Sequence, residues 1–548
     1  MELSKDNMSN FNLKNMKKVL VPLTFLFSLV LSSCGSAKTY NYEVDDSVSN
    51  QDGSMAYEIF VRSFYDSNND GIGDLKGVES KLPYLNTLGI KTIWLLPIHP
   101  ASTYHGYDVT DYYDVHPDYG TLEDFDSLVA KAKEYNMDIM IDMVLNHTSK
   151  SHPWFKQSYE DFVNNNTASD SKKDYYNWID SNRNGYHKYK DYYYEGQFNS
   201  SMPDLNLDAD VVRNEIDNIC KFWIEEHGVK GFRLDAVKYY YGQGDITKNN
   251  EFLSWLEETT HKYDSSFYMV GEAWYSANTS INEYYNSTCD SFFKFTSSAE
   301  GYGDDSLILM AKGFVNANKF GNAIEASEAD IKKKNPNGYY SYFLTNHDMD
   351  RASTYLWDEI SAKMGASLLA LMPGTPYMYY GEEIYLKGQR NTSPDDGSDV
   401  RRRLPMIWSE TDKTGECKFP ETNRPDLMNN EQVKEGVYDL EKENLSLLNH
   451  YKKVINMRNK YPFMKHGIFE NMTYTLNTDL THVLAYKVSL NDEGIYVIHN
   501  FDEEKAVVST EKMGSQILDY ISVSGIKPVL KNNQLTIGSY STVIISLN

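Results

Sequence analysis

Four short segments of this sequence set acids or an imidazole beside the ends of predicted strands. In Gly231-Phe232-Arg233-Leu234-Asp235, strand alternation puts Arg233 and Asp235 on one face. A neighbouring guanidinium favours the ionised carboxylate, which is the form a nucleophile needs at neutral pH. Val270-Gly271-Glu272-Ala273-Trp274 gives a second carboxyl an apolar, aromatic setting that should raise its pKa and suit it to donate a proton. Phe343-Leu344-Thr345-Asn346-His347-Asp348 offers a third carboxylate next to an imidazole, and Asp142-Met143-Val144-Leu145-Asn146-His147 repeats that pairing earlier in the chain. Taken singly, each segment also has a structural reading, as an ion pair at a strand end, a Glu that opens a helix, or a hydrogen-bonded core His. Four of them in order at four strand ends favour a shared site, because barrel folds build their sites from separate strands.

A different chemistry is suggested by Asp66-Ser67-Asn68-Asn69-Asp70-Gly71-Ile72-Gly73-Asp74. Oxygen-bearing side chains alternate there around a Gly that permits a tight turn, a spacing that suits Ca²⁺. A structural ion held by Asp66, Asn68, Asp70, Asp74 and the carbonyl of Ile72 is expected; the alternative is an Asx-rich surface turn. Setting Cys34 aside, Cys220, Cys289 and Cys417 are odd in number and lack metal-ligand spacing, so neither a disulfide framework nor a zinc site is expected.

The elements that must hold these groups are short apolar runs alternating with amphipathic stretches, the pattern of parallel strands joined by crossover helices. Strands are predicted over 56–61, 92–96, 138–143, 231–234, 268–270, 340–344 and 377–379, and helical spacing recurs in Leu122, Phe125, Leu128 and Val129 and in Val212, Ile216, Ile219 and Trp223. Eight such units would close into a β/α barrel with its site at the C-terminal strand ends. The stretch 147–207 breaks the alternation and reads as an inserted subdomain, while alternating runs after residue 462 suggest a terminal β-sandwich. At 548 residues the chain has room for several domains. The formal net charge of −25 argues against nucleic acid or any other polyanion and in favour of a neutral substrate.

The four segments, in this order, resemble the signature regions of the α-amylase family, glycoside hydrolase family 13. Met202-Pro203-Asp204-Leu205-Asn206 resembles its fifth region and Tyr104-His105-Gly106-Tyr107 its sugar-stacking segment. The resemblance runs from about Met55 to the C-terminus. It implies a (β/α)8 TIM barrel over 55–146 and 208–462, subdomain B inserted after the third strand over 147–207, and a C-terminal antiparallel β-sandwich over 463–548. By the same resemblance Asp235 is the nucleophile, Glu272 the acid and then the base, and Asp348 the carboxylate that binds ring hydroxyls. His105, His147, Arg233 and His347 then contact the sugar, Tyr107 stacks beneath it and Lys238 reaches the leaving-group side. The expected activity is retaining hydrolysis of α-1,4 bonds in starch and maltooligosaccharides by an endo-acting monomer. The alternatives are an oligosaccharide α-glucosidase, a 4-α-glucanotransferase or, in another class, a non-catalytic starch-binding lipoprotein.

Two departures from the family pattern leave matters open. Lys238-Tyr239 stands where many members have Lys-His, whose His carbonyl binds a second calcium; a carbonyl ligand survives any substitution, so the resemblance leaves that site open here, with Asn146 and Asp204 as its candidate ligands. His105-Gly106-Tyr107-Asp108 combines the His of endo-acting members with the Asp of α-glucosidases that grip a chain end. Bond preference and internal or terminal cleavage therefore stay undecided by residues.

At the N-terminus Lys17 and Lys18 precede an apolar run from Val19 to Leu31, too short to span a bilayer and in keeping with an export signal. Leu31-Ser32-Ser33-Cys34 resembles the bacterial lipobox, which implies a lipid on Cys34. Residues 1–34 then form the signal and lipidation site and 35–54 a tether. They place the protein outside the cytoplasm on the cell envelope, with display at the surface expected.

Overall fold

The computed structural model describes residues 55–242, 244–390, 399–419 and 432–547, all within one compact unit, Tyr42–Asn548. At its centre are eight parallel strands: β1 Ala56–Ile59, β2 Thr92–Leu95, β3 Asp138–Met143, β4 Gly231–Leu234, β5 Tyr268–Gly271, β6 Ser291–Phe293, β7 Tyr339–Ser341 and β8 Tyr377–Tyr379. Their spatial order is β7-β6-β5-β4-β3-β2-β1-β8. A parallel bridge between Phe343 and Tyr377 joins the ends, and Tyr377 N donates to the Tyr342 carbonyl at 2.7 Å. The sheet is therefore a closed (β/α)8 barrel. Apolar runs mark every strand except β6, whose three residues are too few for alternation to show. Beyond Ser341 only that single bridge continues the pairing, so β7 starts and stops earlier than the run 340–344 suggests.

The crossover helices follow the spacing of their apolar residues. Helix Leu122–Glu134 starts at a capping box, with Thr121 Oγ1 accepting from Asp124 N at 3.3 Å and the Asp124 carboxylate accepting from Thr121 N at 3.1 Å. It buries Phe125, Leu128 and Ala132 and leaves Leu122 and Val129 at the half-buried margin. Helix Asp210–Lys221 buries Val212, Ile216 and Ile219. It continues into a wider turn that buries Trp223, whose indole N–H donates to the Tyr112 carbonyl at 2.8 Å.

Between β3 and β4 the chain leaves the barrel and forms helix Pro153–Val163 and a three-stranded antiparallel sheet of Trp178–Ile179, Tyr192–Glu195 and Tyr186–Tyr189. Its core is aromatic, built from Phe155, Tyr159, Tyr176, Trp178 and Tyr194. Although the stretch breaks the strand–helix alternation, it has a helical period of its own, since Phe155, Tyr159 and Phe162 recur at helical spacing. A backbone bridge between His147 and Asp204 ties the segment to the end of β3.

After helix Leu447–Asn459 come a five-stranded antiparallel sheet and a three-stranded one. Strand Val483–Leu490 is buried on both faces for most of its length. Val483 and Ala485 join the core between the two sheets, whereas Leu484, Tyr486 and Val488 join the main core that includes the barrel. No helix among the described residues is long and apolar enough to cross a membrane. Cys34, the run 19–31 and the tether 35–54 lie outside the described residues.

Candidate active site

The four chemistry-bearing segments converge at the C-terminal ends of β3, β4, β5 and β7 around Arg233, which is 1% exposed. Its Nη1 lies 2.9 Å from Asp142 Oδ1 and 2.7 Å from Asp235 Oδ1, and its Nη2 lies 3.3 Å from Glu272 Oε2. One guanidinium thus touches three carboxyls from three neighbouring strands. Desolvation would make such a set unstable without a cation in contact with each member.

The backbone adds a further restraint. Ala236, directly after Asp235, has φ 51°, in the left-handed region that residues with a Cβ seldom occupy. In this conformation Ala236 N–H donates to Glu272 Oε2 at 3.0 Å, so the turn after one acid fixes the other. Local strain of this kind persists where the surroundings over-determine it.

The carboxyls are held in different states. Burial is the main reason that the Glu272 pKa rises to about 7, opposed by Arg233 and assisted by the negative charges of Asp235 and Asp348. Asp142 also rises to about 7, again through burial, with Arg233 opposing. Burial would raise Asp348 too, but His347, Arg403 and Arg233 hold it well below the usual carboxylate range. His347 is lifted to about 9: burial lowers it, but Asp348 and Glu58 outweigh that effect. Its Nδ1 lies 2.5 Å from Glu58 Oε1 and its Nε2 3.0 Å from Asp348 Oδ2, so near neutral pH it is an imidazolium between two acids.

The other residues singled out from the sequence gather around this network. The Tyr107 hydroxyl meets His347 Nε2 at 2.7 Å and donates to Asp142 Oδ2 at 3.0 Å, and its ring stacks on His347 at 5.7 Å and 14°. His105 stacks on the same tyrosine at 6.1 Å, and its Nδ1 accepts from Tyr107 N at 3.1 Å. His147 is buried, with Nε2 3.2 Å from the Tyr107 carbonyl; burial lowers its pKa although Asp235 raises it. Lys238 donates to the Trp274 carbonyl at 2.9 Å and is also lowered by burial, with Glu272 opposing.

Three further members complete the network. Asp142 is visible in the sequence as the acid of the segment that ends in His147, and its place two residues after Met140 on a buried strand marks it as facing the same side. Glu58 is a lone acid in the apolar strand Ala56–Ile59, a second signal. Arg403, whose Nη2 lies 2.8 Å from Asp348 Oδ1, comes from the loop after β8 and carries no local signature.

The five residues of the 66–74 turn form a separate group. Asp66 accepts from Asn69 N at 2.6 Å and Gly71 N at 2.7 Å, Asn68 from Asp70 N at 2.9 Å and Asp70 from Ile72 N at 2.7 Å. Asp74 caps the next helix by accepting from Gly77 N at 2.7 Å. Asn146 and Asp204 do meet, Nδ2 to Oδ1 at 3.3 Å, while the buried Asn146 Oδ1 has no hydrogen-bond partner among the described residues. Among the described residues no three His, Cys, Asp or Glu side chains converge as a metal site.

A family model described as the α-amylase catalytic domain matches residues 58–467. The chain is 36% identical over 510 residues to "Alpha-amylase 3" of Dictyoglomus thermophilum, covering 90% of this chain and 93% of that one. It is 28% identical over 531 residues to an oligo-1,6-glucosidase of Parageobacillus thermoglucosidasius, covering 83% and 91%. The solved structure of Eubacterium rectale Amy13B aligns with a TM-score of 0.81 at 35% identity, covering 91% of this chain and 96% of that one. With acids ordered around Arg233 at the barrel mouth and a family match over most of its length, the chain is a glycoside hydrolase belonging to the α-amylase family, glycoside hydrolase family 13.

Proposed function

We propose that this protein is a retaining α-glucan hydrolase that cleaves α-1,4-glucosidic bonds within starch and maltooligosaccharides. The observation that carries the reading is a single guanidinium in contact with Asp235 and Glu272, with burial raising the Glu272 pKa to about 7. Asp235 attacks the anomeric carbon while Glu272 gives its proton to the departing oxygen. Glu272 then takes a proton from the water that displaces the sugar from Asp235. This double displacement needs the two carboxyls about 5 to 5.5 Å apart, and their contacts of 2.7 and 3.3 Å with the two ends of one guanidinium bring both to the same side of the barrel mouth. Asp348, kept ionised, accepts ring hydroxyls, and Tyr107, His105, His147 and His347 enclose the same sugar.

Internal cleavage is supported by the contacts of Asp108, an Asp that is usual at this place among α-glucosidases that grip a chain end. Here its buried carboxylate accepts from Ser102 N at 3.2 Å, Thr103 N at 3.1 Å and the Thr103 hydroxyl. A carboxylate engaged by its own loop is poorly placed to hold a terminal sugar. The oligo-1,6-glucosidase relative favours the competing reading of an oligosaccharide α-glucosidase. Soluble starch digested over time separates them: early loss of iodine staining with mixed short products supports internal cleavage, glucose alone supports the glucosidase, and lengthened chains a glucanotransferase.

A structural Ca²⁺ in the 66–74 turn is part of the proposal. Asp66 and Asp74 are 6% and 5% exposed, and the cations nearest in sequence, Arg62 and Lys76, pair instead with Asp118 and Asp124. Buried carboxylates with no cation in contact among the described residues, together with the Asn68 and Asp70 side-chain oxygens and the Ile72 carbonyl, fit a hard cation. Such an ion would brace the turn and take no part in the chemistry. Attachment to the cell envelope through a lipid on Cys34 rests on the sequence alone; loss of fatty-acid labelling in Cys34→Ala tests it.

A further inference from the structure

Lys294 stands directly after β6 and is 0% exposed, a setting that strips an ammonium of its hydration. Its Nζ lies 2.9 Å from Asp305 Oδ2, 2.6 Å from Asn278 Oδ1 and 3.3 Å from both Thr296 Oγ1 and Ser327 Oγ, with the Tyr340 ring 4.5 Å away. Asp305 is equally tied down, since its Oδ2 also accepts from Asn278 Nδ2 at 2.8 Å and from the Thr296 hydroxyl at 3.0 Å. A buried ion pair is seldom worth more to a fold than apolar side chains of the same volume. Its other use is to fix one geometry, and here the partners come from separate parts of the barrel. Asn278 belongs to the segment after β5, Thr296 and Asp305 to the stretch after β6, Ser327 to helix Ala317–Lys334 and Tyr340 to β7.

Asn278 is the far anchor of the loop that starts at the proton donor. From Glu272 the chain passes through Ala273 to Trp274, whose ring stacks on Phe295 at 4.9 Å and 13° and whose carbonyl accepts from Lys238 at 2.9 Å. It then runs through exposed Ser276 and Ala277 before Asn278 opens a short helix, Asn278–Asn282. Two exposed residues give that turn little packing of its own, so its course is set by the stack at one end and by Lys294 and Asp305 at the other. Phe295 follows Lys294 in the chain, so one short segment holds both ends of the loop. Ala236 N–H fixes the Glu272 carboxyl, and this loop fixes the main chain behind it.

We propose that Lys294 is a positioning residue for the proton donor: through Asn278 and the Phe295–Trp274 stack it holds the loop after β5 so that Glu272 reaches the departing oxygen. The inference rests on the reading of Glu272 as the acid and deepens it. Its test compares two aryl α-maltotriosides that place a ring at the same position, by following release of the aryl group. The phenyl oxygen must be protonated as it leaves, whereas a dinitrophenyl group leaves without that help. Lys294→Met should lower the ratio of kcat/KM for the phenyl substrate to that for the dinitrophenyl one about tenfold, and Asn278→Ala, which keeps the Lys294–Asp305 pair, about fivefold. A loss of folded protein or of binding would move both substrates together and leave the ratio alone. A ratio within about twofold of the parent in Asn278→Ala overturns the proposal, whether or not Lys294→Met folds. Glu272→Gln, run alongside, should lower the same ratio by about two orders of magnitude or more; if it does not, the assignment of the acid fails and this inference with it.

Discussion

Two acidic clusters in this molecule meet the same electrostatic problem differently. At the barrel mouth Asp142, Asp235, Glu272 and Asp348 are matched by Arg233, Arg403 and His347, all parts of the chain. In the 66–74 turn the carboxylates of Asp66 and Asp74 receive only backbone N–H groups and the Ser67 hydroxyl among the described residues. A site that must keep one acid charged and its neighbour protonated needs cations at fixed positions, because each displacement would change both pKa values. If, as proposed, the turn takes a cation from solution, its stability follows the concentration of that ion.

The sharpest way to break this contrast is Glu272→Gln. Loss of the acid and base should lower kcat by about three orders of magnitude or more while thermal unfolding stays close to that of the unsubstituted protein. Steady-state rates on maltooligosaccharides and a melting curve check both halves.

Arg233→Met asks whether the built-in cation also holds the fold. With Asp142, Asp235 and Glu272 left to one another in a buried site, unfolding free energy should drop by about 3–5 kcal/mol, read from denaturant titration. A variant as stable as the parent would show that the network serves catalysis alone.

For the turn, the expected outcome is loss of stability on chelation and its recovery when Ca²⁺ is returned, roughly 2–3 kcal/mol if the ion is supplied at about a hundred times its Kd. Asp66→Asn should weaken that response. No binding and no change in melting temperature in a calcium titration of chelated protein would remove the ion from the account.

The smallest effect is one of pH. Because Glu272 must carry its proton and its pKa is raised to about 7, the competent fraction shrinks as pH rises through that value. The kcat/KM profile should lose about tenfold per unit on that side. A flat profile between pH 7 and 9 would contradict the assignment of the acid.

What could be read in advance was whatever repeats within a few residues. Arg233 lies on β4 and Asp235 directly after its last residue, so extending the period-two alternation was enough to put them on one face, and their Nη1 to Oδ1 contact is 2.7 Å. Glu58 and His347 are separated by 289 residues, and nothing local announces their pairing, which arises only when β1 and the end of β7 reach the same barrel mouth. Arg403 is as opaque, since a loop residue acquires its partner from the closed barrel. Strand β6 escaped for another reason: Ser291, Phe292 and Phe293 gain their strand character from hydrogen bonding between β5 and β7, and three residues carry no period of their own. The aromatic core of the inserted segment was masked by its many polar neighbours, although Phe155 and Tyr159 sit one helical turn apart.

Strand Val483–Leu490, buried on alternate faces in two different cores, has a consequence for anyone who would shorten the protein. Leu484, Tyr486 and Val488 serve as wall plaster for the catalytic half, and the Tyr486 hydroxyl donates to the Leu371 carbonyl at the end of a barrel helix. Cutting the chain after the family match ends at residue 467 would strip that covering and leave a greasy, sticky flank on what remained. The tail is masonry shared by both rooms, so a minimal catalyst should be sought by trimming loops before dispensing with the final sheets.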